Sequence, residues 1–62
     1  MLQNYNDILC VGDVCEILYI GRTRTYELLN TGVLKGFRVG RTWRIPKKNL
    51  EAYIIQRCRS NN

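Results

Sequence analysis

Residues 21–46, GRTRTYELLNTGVLKGFRVGRTWRIP, change hydrophobic period halfway, and that change decides the fold. From Arg22 to Asn30 or Thr31, Thr25, Leu28 and Leu29 fall on one side of a helix, and Gly32 supplies a favoured residue just past its end. The opposite side carries Thr23, Tyr26, Glu27 and Asn30, with Arg22 and Arg24 flanking it at the N-terminal end. From residue 34 to 45 the period drops to two, with Phe37, Val39, Trp43 and Ile45 apolar and Arg38 and Arg44 alternating with them. This is a hairpin pattern with two candidate registers. A two-residue loop at Gly40-Arg41 pairs Val39 with Thr42 and turns Trp43 to the other face. A three-residue loop, Gly40-Arg41-Thr42, pairs Val39 with Trp43 and Phe37 with Ile45. The three-residue loop is expected, because it puts all four apolar side chains on one face and register follows the buried face. It also makes Arg38 and Arg44 neighbours on the other face, with Arg41 at the tip.

Upstream, VGDVCEIL (residues 11–18) places Val11, Val14, Cys15 and Leu18 at helical spacing, with Asp13 and Glu16 on the far side. Tyr19-Ile20-Gly21 breaks that pattern, and Gly21 can cap the next helix. Downstream, Pro46 fits the first turn of a third helix whose inner stripe is Leu50, Tyr53 and Ile54. The expected fold class is mainly α with a small β-hairpin, a winged helix-turn-helix. Its parts are a helix-turn-helix, a two-stranded wing and a C-terminal helix. The domain is expected over residues 9–58, between a flexible leader (1–8) and a frayed tail (59–62).

At 62 residues the chain has room for one small core and no second domain. Ten Lys and Arg against five Asp and Glu give a net charge of +5, which suggests an anionic partner: nucleic acid or an acidic membrane surface. No apolar run approaches the roughly 20 residues that cross a bilayer, and residues 1–8 do not form a signal peptide. The three cysteines, Cys10, Cys15 and Cys58, lack the close spacing of a zinc or redox motif, and there is no histidine to complete a metal site. A reduced, cytosolic protein without metal or cofactor is expected. The only serine is Ser60, and Asp7, Asp13, Glu16, Glu27 and Glu51 form no catalytic pair. An enzyme is therefore not expected.

In helix-turn-helix proteins the N-terminal residues of the second helix reach base edges in the major groove. Here those residues are Arg22, Thr23 and Arg24, and an arginine fork matches guanine O6 and N7. Glu27, one turn on, can accept from a cytosine amino group or pair with a neighbouring arginine. Tyr26 can reach a phosphate or sit at the core edge, and Asn30 is the next residue facing the backbone. In the hairpin, Arg38, Arg41, Thr42 and Arg44 are candidate backbone contacts, the alternative being a solvated edge kept soluble by charge. Trp43 is expected in the core rather than on the surface for stacking.

On these residues the chain resembles the excisionase-type DNA-binding domains, small winged helix-turn-helix proteins related in fold to the N-terminal domains of MerR-type regulators. The segments that carry the resemblance are VGDVCEIL, IGRTRTYELLNTGVLKGFRVGRTWRIP and KKNLEAYI, spanning Leu9 to Ile54. Tyr26, Gly32, Val39-Gly40-Arg41, Arg44-Ile45-Pro46 and Leu50-Glu51-Ala52-Tyr53 match the family pattern. Cys10, Tyr19 and Gly21 depart from it. The family usually has Thr or Ser, Gly, and Ser at those positions. The resemblance implies double-stranded DNA as ligand, with the second helix in the major groove and the wing on the adjacent minor groove or backbone. It also implies an architectural excisionase of a mobile element in a bacterium or phage, working with an integrase and with adjacent copies of itself. A small transcriptional regulator is the alternative within the family. A protein-interaction module that has lost DNA binding is the alternative outside it. No membrane and no small-molecule ligand are implied.

Overall fold

Along the chain run β1 (Ile8–Leu9), α1 (Val11–Leu18), α2 (Arg22–Asn30), β2 (Phe37–Val39), β3 (Thr42–Pro46) and α3 (Lys47–Ser60). The structure is a computed structural model that describes residues 2–60. α1 and α2 pack on each other across Tyr19-Ile20-Gly21, and their inner faces meet β3 and α3. The core consists of Leu9, Val11, Val14, Leu28, Leu29, Leu34, Ile45 and Leu50, each 7% exposed or less. Burying a leucine of this kind contributes roughly 1.5–3 kcal/mol, and every element except β2, whose three residues are exposed, is held by one or two such side chains. Among the described residues Thr25 is the buried polar one. Its hydroxyl donates to Gly21 O at 3.1 Å and lies 3.3 Å from Cys15 Sγ, which ties the start of α2 to α1.

Two of the departures from the family pattern have visible local consequences. Cys10 stands at the N-cap of α1 in extended backbone, and its N–H donates to Asp13 Oδ2 at 3.2 Å. The Asp13 carboxylate thus supplies one half of a capping box, while the reciprocal half, toward the Asp13 N–H, falls to a thiol, a weak acceptor. Tyr19 takes φ 58° and ψ 48° at the end of α1. That left-handed conformation costs a non-glycine residue about 1–2 kcal/mol, and the tyrosine ring recovers nothing, being 95% exposed.

The sheet is antiparallel in the order β1-β3-β2. The hairpin register differs from the expected one: Phe37 pairs with Arg44, Arg38 with Trp43, and Val39 with Thr42, across a two-residue turn at Gly40-Arg41. Gly40 takes φ 65° and Arg41 does not, which is the pattern of a turn with glycine at its first central position. The physical reason lies at Gly36. A Cβ there would stand 3.0 Å from Arg44 O and 3.2 Å from both Ile45 Cγ1 and Leu29 Cδ2. The space over Ile45 therefore admits glycine and cannot admit Phe37, which the three-residue loop would have placed there. Phe37 and Val39 consequently lie on the outer face, 47% and 58% exposed. Arg38 and Arg44 are not neighbours. Arg38 covers Trp43, with the guanidinium carbon 5.5 Å from the ring centroid, while Arg44 shares the outer face with Phe37. Trp43 packs half-buried against the core, opposite Arg38 rather than Val39.

Three ends also differ from expectation. Pro46 closes β3 opposite Ile8 rather than opening α3. Ile8 is in a strand, Asp7 O accepts from Lys47 N at 2.7 Å, and the Tyr5 hydroxyl donates to Glu16, so the residues read as a leader lie against the domain. α3 continues through Arg59 to Ser60, where a tail was expected, and Asn61 and Asn62 lie outside the described residues.

Candidate nucleic-acid interface

The buried side of α2 is Thr25, Leu28 and Leu29, as its periodicity predicts, and every other residue of the helix is exposed. At about 100° per residue, the midline of the exposed side holds Thr23, Glu27 and Asn30. Arg22 and Arg24, two positions apart, are turned to opposite flanks. Arg22 and Tyr26 face the hairpin; Arg24 faces α3.

On the hairpin flank, Arg22 and Tyr26 of α2 line one shallow groove together with Arg41, Thr42 and Trp43 of the wing. Its remaining wall is the first turn of α1, at Cys10, Val11 and Gly12. A Cβ on Gly12 would stand 3.8 Å from Arg22 Nη2, so the Arg22 guanidinium lies back toward the start of α1. On the α3 flank, Arg24 Nη1 donates to Glu27 Oε1 at 2.7 Å, an ion pair whose side chains are 62% and 58% exposed. Such a pair contributes about 0.2–1 kcal/mol, and it is the alternative the sequence left open for Glu27. A groove beside it is lined by Leu18, Ile20, Leu28, Tyr53, Ile54 and Cys58. Arg57 borders that groove, its guanidinium carbon 5.9 Å from the Tyr53 centroid.

Of the sequence candidates, Arg22, Tyr26, Arg41 and Thr42 are therefore brought to one surface, and Arg24 with Glu27 to another. Thr23 and Asn30 lie exposed between them. Arg38 is engaged with Trp43, and the half-buried Arg44 donates to Trp43 O at 3.4 Å. The sequence reading missed Cys10 and Gly12, which border the hairpin-side groove, because nothing in VGDVCEIL shows that the turn before it meets the wing. It also missed Arg57, whose helical spacing after Tyr53 was visible but whose neighbourhood with Arg24 was not. Among the described residues no cluster of His, Cys, Asp or Glu could hold a metal ion, and no helix is long and apolar enough to cross a membrane.

A family model described as a helix-turn-helix domain matches residues 9–58, which take in Leu9, both helices of the turn, the hairpin and most of α3. The "Probable excisionase" of Saccharopolyspora erythraea is 37% identical over 49 residues, covering 79% of this chain and 50% of that protein. The chain thus spans about half the length of this relative. No solved structure matches. The matched family is a DNA-binding one and is not enzymatic. The three helices with their small antiparallel sheet, and the match across nearly all of them, place the chain in the helix-turn-helix domain family, among excisionase-like small proteins.

Proposed function

We propose that the chain binds duplex DNA sequence-specifically as an architectural excisionase of a mobile element. α2 lies in the major groove with Thr23, Arg24 and Glu27 toward base edges, and the hairpin lies against the neighbouring backbone or minor groove. The observation that carries this reading is the continuity of α2 with the wing: Arg22 and Tyr26 of the helix and Arg41 and Thr42 of the hairpin line one surface. Two elements offering cations to one polyanion are what a duplex asks for. The similarity to a probable excisionase supports the architectural role. An integrase and adjacent copies of the same chain on DNA are the partners this role requires. Affinity for a single site is modest, since a domain of this size has little interface, and neighbouring sites compensate.

The test is selection of genomic fragments by the purified protein at physiological salt, followed by sequencing. Repeated short sites clustered at the end of an integrated element are expected. Sites clustered at promoters would move the reading to transcription control, and no enrichment over random duplex would overturn it. About five phosphate contacts also predict a log–log salt slope near −4 to −5.

A further inference from the structure

We infer that the groove between the first turn of α1, the start of α2 and the wing tip seats one backbone phosphate of the bound duplex, held by Arg22 and Arg41. The inference rests on the DNA-binding reading and assigns Arg22 to the backbone, not to a base edge. Three observations converge on it. First, the two guanidiniums come from different elements to one groove, and neither has a hydrogen-bond or ion-pair partner among the described residues. Second, no acid lines that groove; the nearest on α1, Asp13, spends its Oδ2 on the Cys10 N–H. Like charges brought together without compensation favour an anion between them. Third, neutral donors and a helix start complete the wall. Tyr26 and Thr42 contribute hydroxyls, and Val11 and Gly12 are the first two residues of α1, whose N–H groups have no partner inside the helix.

The contrast with Arg24 sharpens the assignment. Arg24 is turned to the opposite flank and is already neutralised by Glu27. Arg22 lies back over Gly12, away from the midline of α2 where base edges would pass. A charge held there neutralises phosphate and carries no sequence information.

Gly12 gives a test that separates binding from folding. It is the second residue of α1, where a carboxylate suits the helix start and where glycine is a poor helix former. A Cβ there meets only ordinary contacts, to Arg22 Nη2 and to Cys10 Sγ, both at 3.8 Å. Gly12→Glu should therefore fold at least as stably as the parent while placing a negative charge in the seat. Arg22→Gln, Gly12→Glu and the uncharged control Gly12→Gln would be titrated with random and selected duplexes across a salt series, alongside thermal melts. Expected for Arg22→Gln is a loss similar for every sequence, with a salt slope shallower by about 0.9. Expected for Gly12→Glu is a loss of about tenfold or more and clearly larger than that of the isosteric Gly12→Gln, with an unchanged or higher melting temperature. A change in sequence preference at unchanged slope for Arg22→Gln would make it a base contact and overturn the inference. So would undiminished binding by a folded Gly12→Glu. Saturable binding of inorganic phosphate in place of duplex, followed at the Gly12 amide, would make a free anion the ligand and overturn the assignment to DNA. If the parent binds no duplex at all, it is the DNA-binding reading that fails, and the inference falls with it.

Discussion

The two flanks of α2 carry the same residue type in opposite electrostatic states. On the hairpin flank Arg22 and Arg41 have no partner among the described residues and stand in a groove that no described acid lines. On the α3 flank Arg24 is paired with Glu27, beside an apolar groove. An unpaired guanidinium is available to any phosphate, whereas a paired one must exchange its carboxylate for something better. The first state suits affinity and the second suits discrimination, because only a well-placed acceptor repays the exchange. Counting arginines along the helix does not show this division; their rotation about its axis does.

The largest expected effect breaks the hairpin flank. Arg41→Glu should lower duplex affinity about 100-fold, as the 1.5–3 kcal/mol of a charge-assisted contact becomes repulsion. The melting temperature should stay near that of the parent, since Arg41 is exposed at the turn. A titration with random duplex decides it, and an undiminished affinity would show that the wing does not touch DNA.

The cysteines allow both flanks to be read in one experiment. Cys10 borders the hairpin-side groove and Cys58 the α3-side groove, and both thiols are exposed. Alkylation depends on access to the thiolate, so bound duplex should slow modification of Cys10 on the order of tenfold and leave Cys58 unchanged. Equal protection of the two, read by mass spectrometry, would mean that DNA covers both flanks.

A third prediction separates stability from the interface. Tyr19→Gly relieves the left-handed backbone at the turn and should stabilise the fold by about 1 kcal/mol, with DNA binding unaltered. Denaturant unfolding measures it, and a loss of stability would mean that the exposed ring has a role the contacts do not show.

The smallest effect concerns the acidic outer face of α1. The hydrogen bond to Glu16, then burial and the negative charges of Glu16 and Asp13, hold the Tyr5 hydroxyl above its usual value of 10.0. A raised folded value means that the contribution is complete below the unfolded value and is lost as pH rises through the folded one. At neutral pH the whole contribution is therefore present and insensitive to pH, and stability should fall slightly in strong alkali. Tyr5→Phe should flatten that fall, and identical pH profiles for the two proteins would count against the bond.

The helix-turn-helix half is readable in the sequence because its signals are local. Thr25, Leu28 and Leu29 repeat at helical spacing, Gly32 follows with φ 79°, and all three side chains are buried as that pattern requires. The hairpin misleads because alternation of Phe37 and Val39 with arginines looks like a buried face. A hairpin this short, with little above it, leaves those side chains in solvent, and the close approach at Gly36 fixes the register. β1 escapes notice because a two-residue strand has no period. The division of α2 into two flanks escapes it too, since it depends on where the wing and α3 dock.

β3 lies between β1 and β2, and its pairing with β1 joins Leu9 to Ile45. A ribosome therefore releases the first strand long before the residue that completes it. Both helices of the turn can form while β1 still has nothing to pair with, and closing so long a loop is the slow, entropically costly kind of step. The nascent chain should acquire α1 and α2 early and its resistance to proteolysis late, only once Pro46 has emerged.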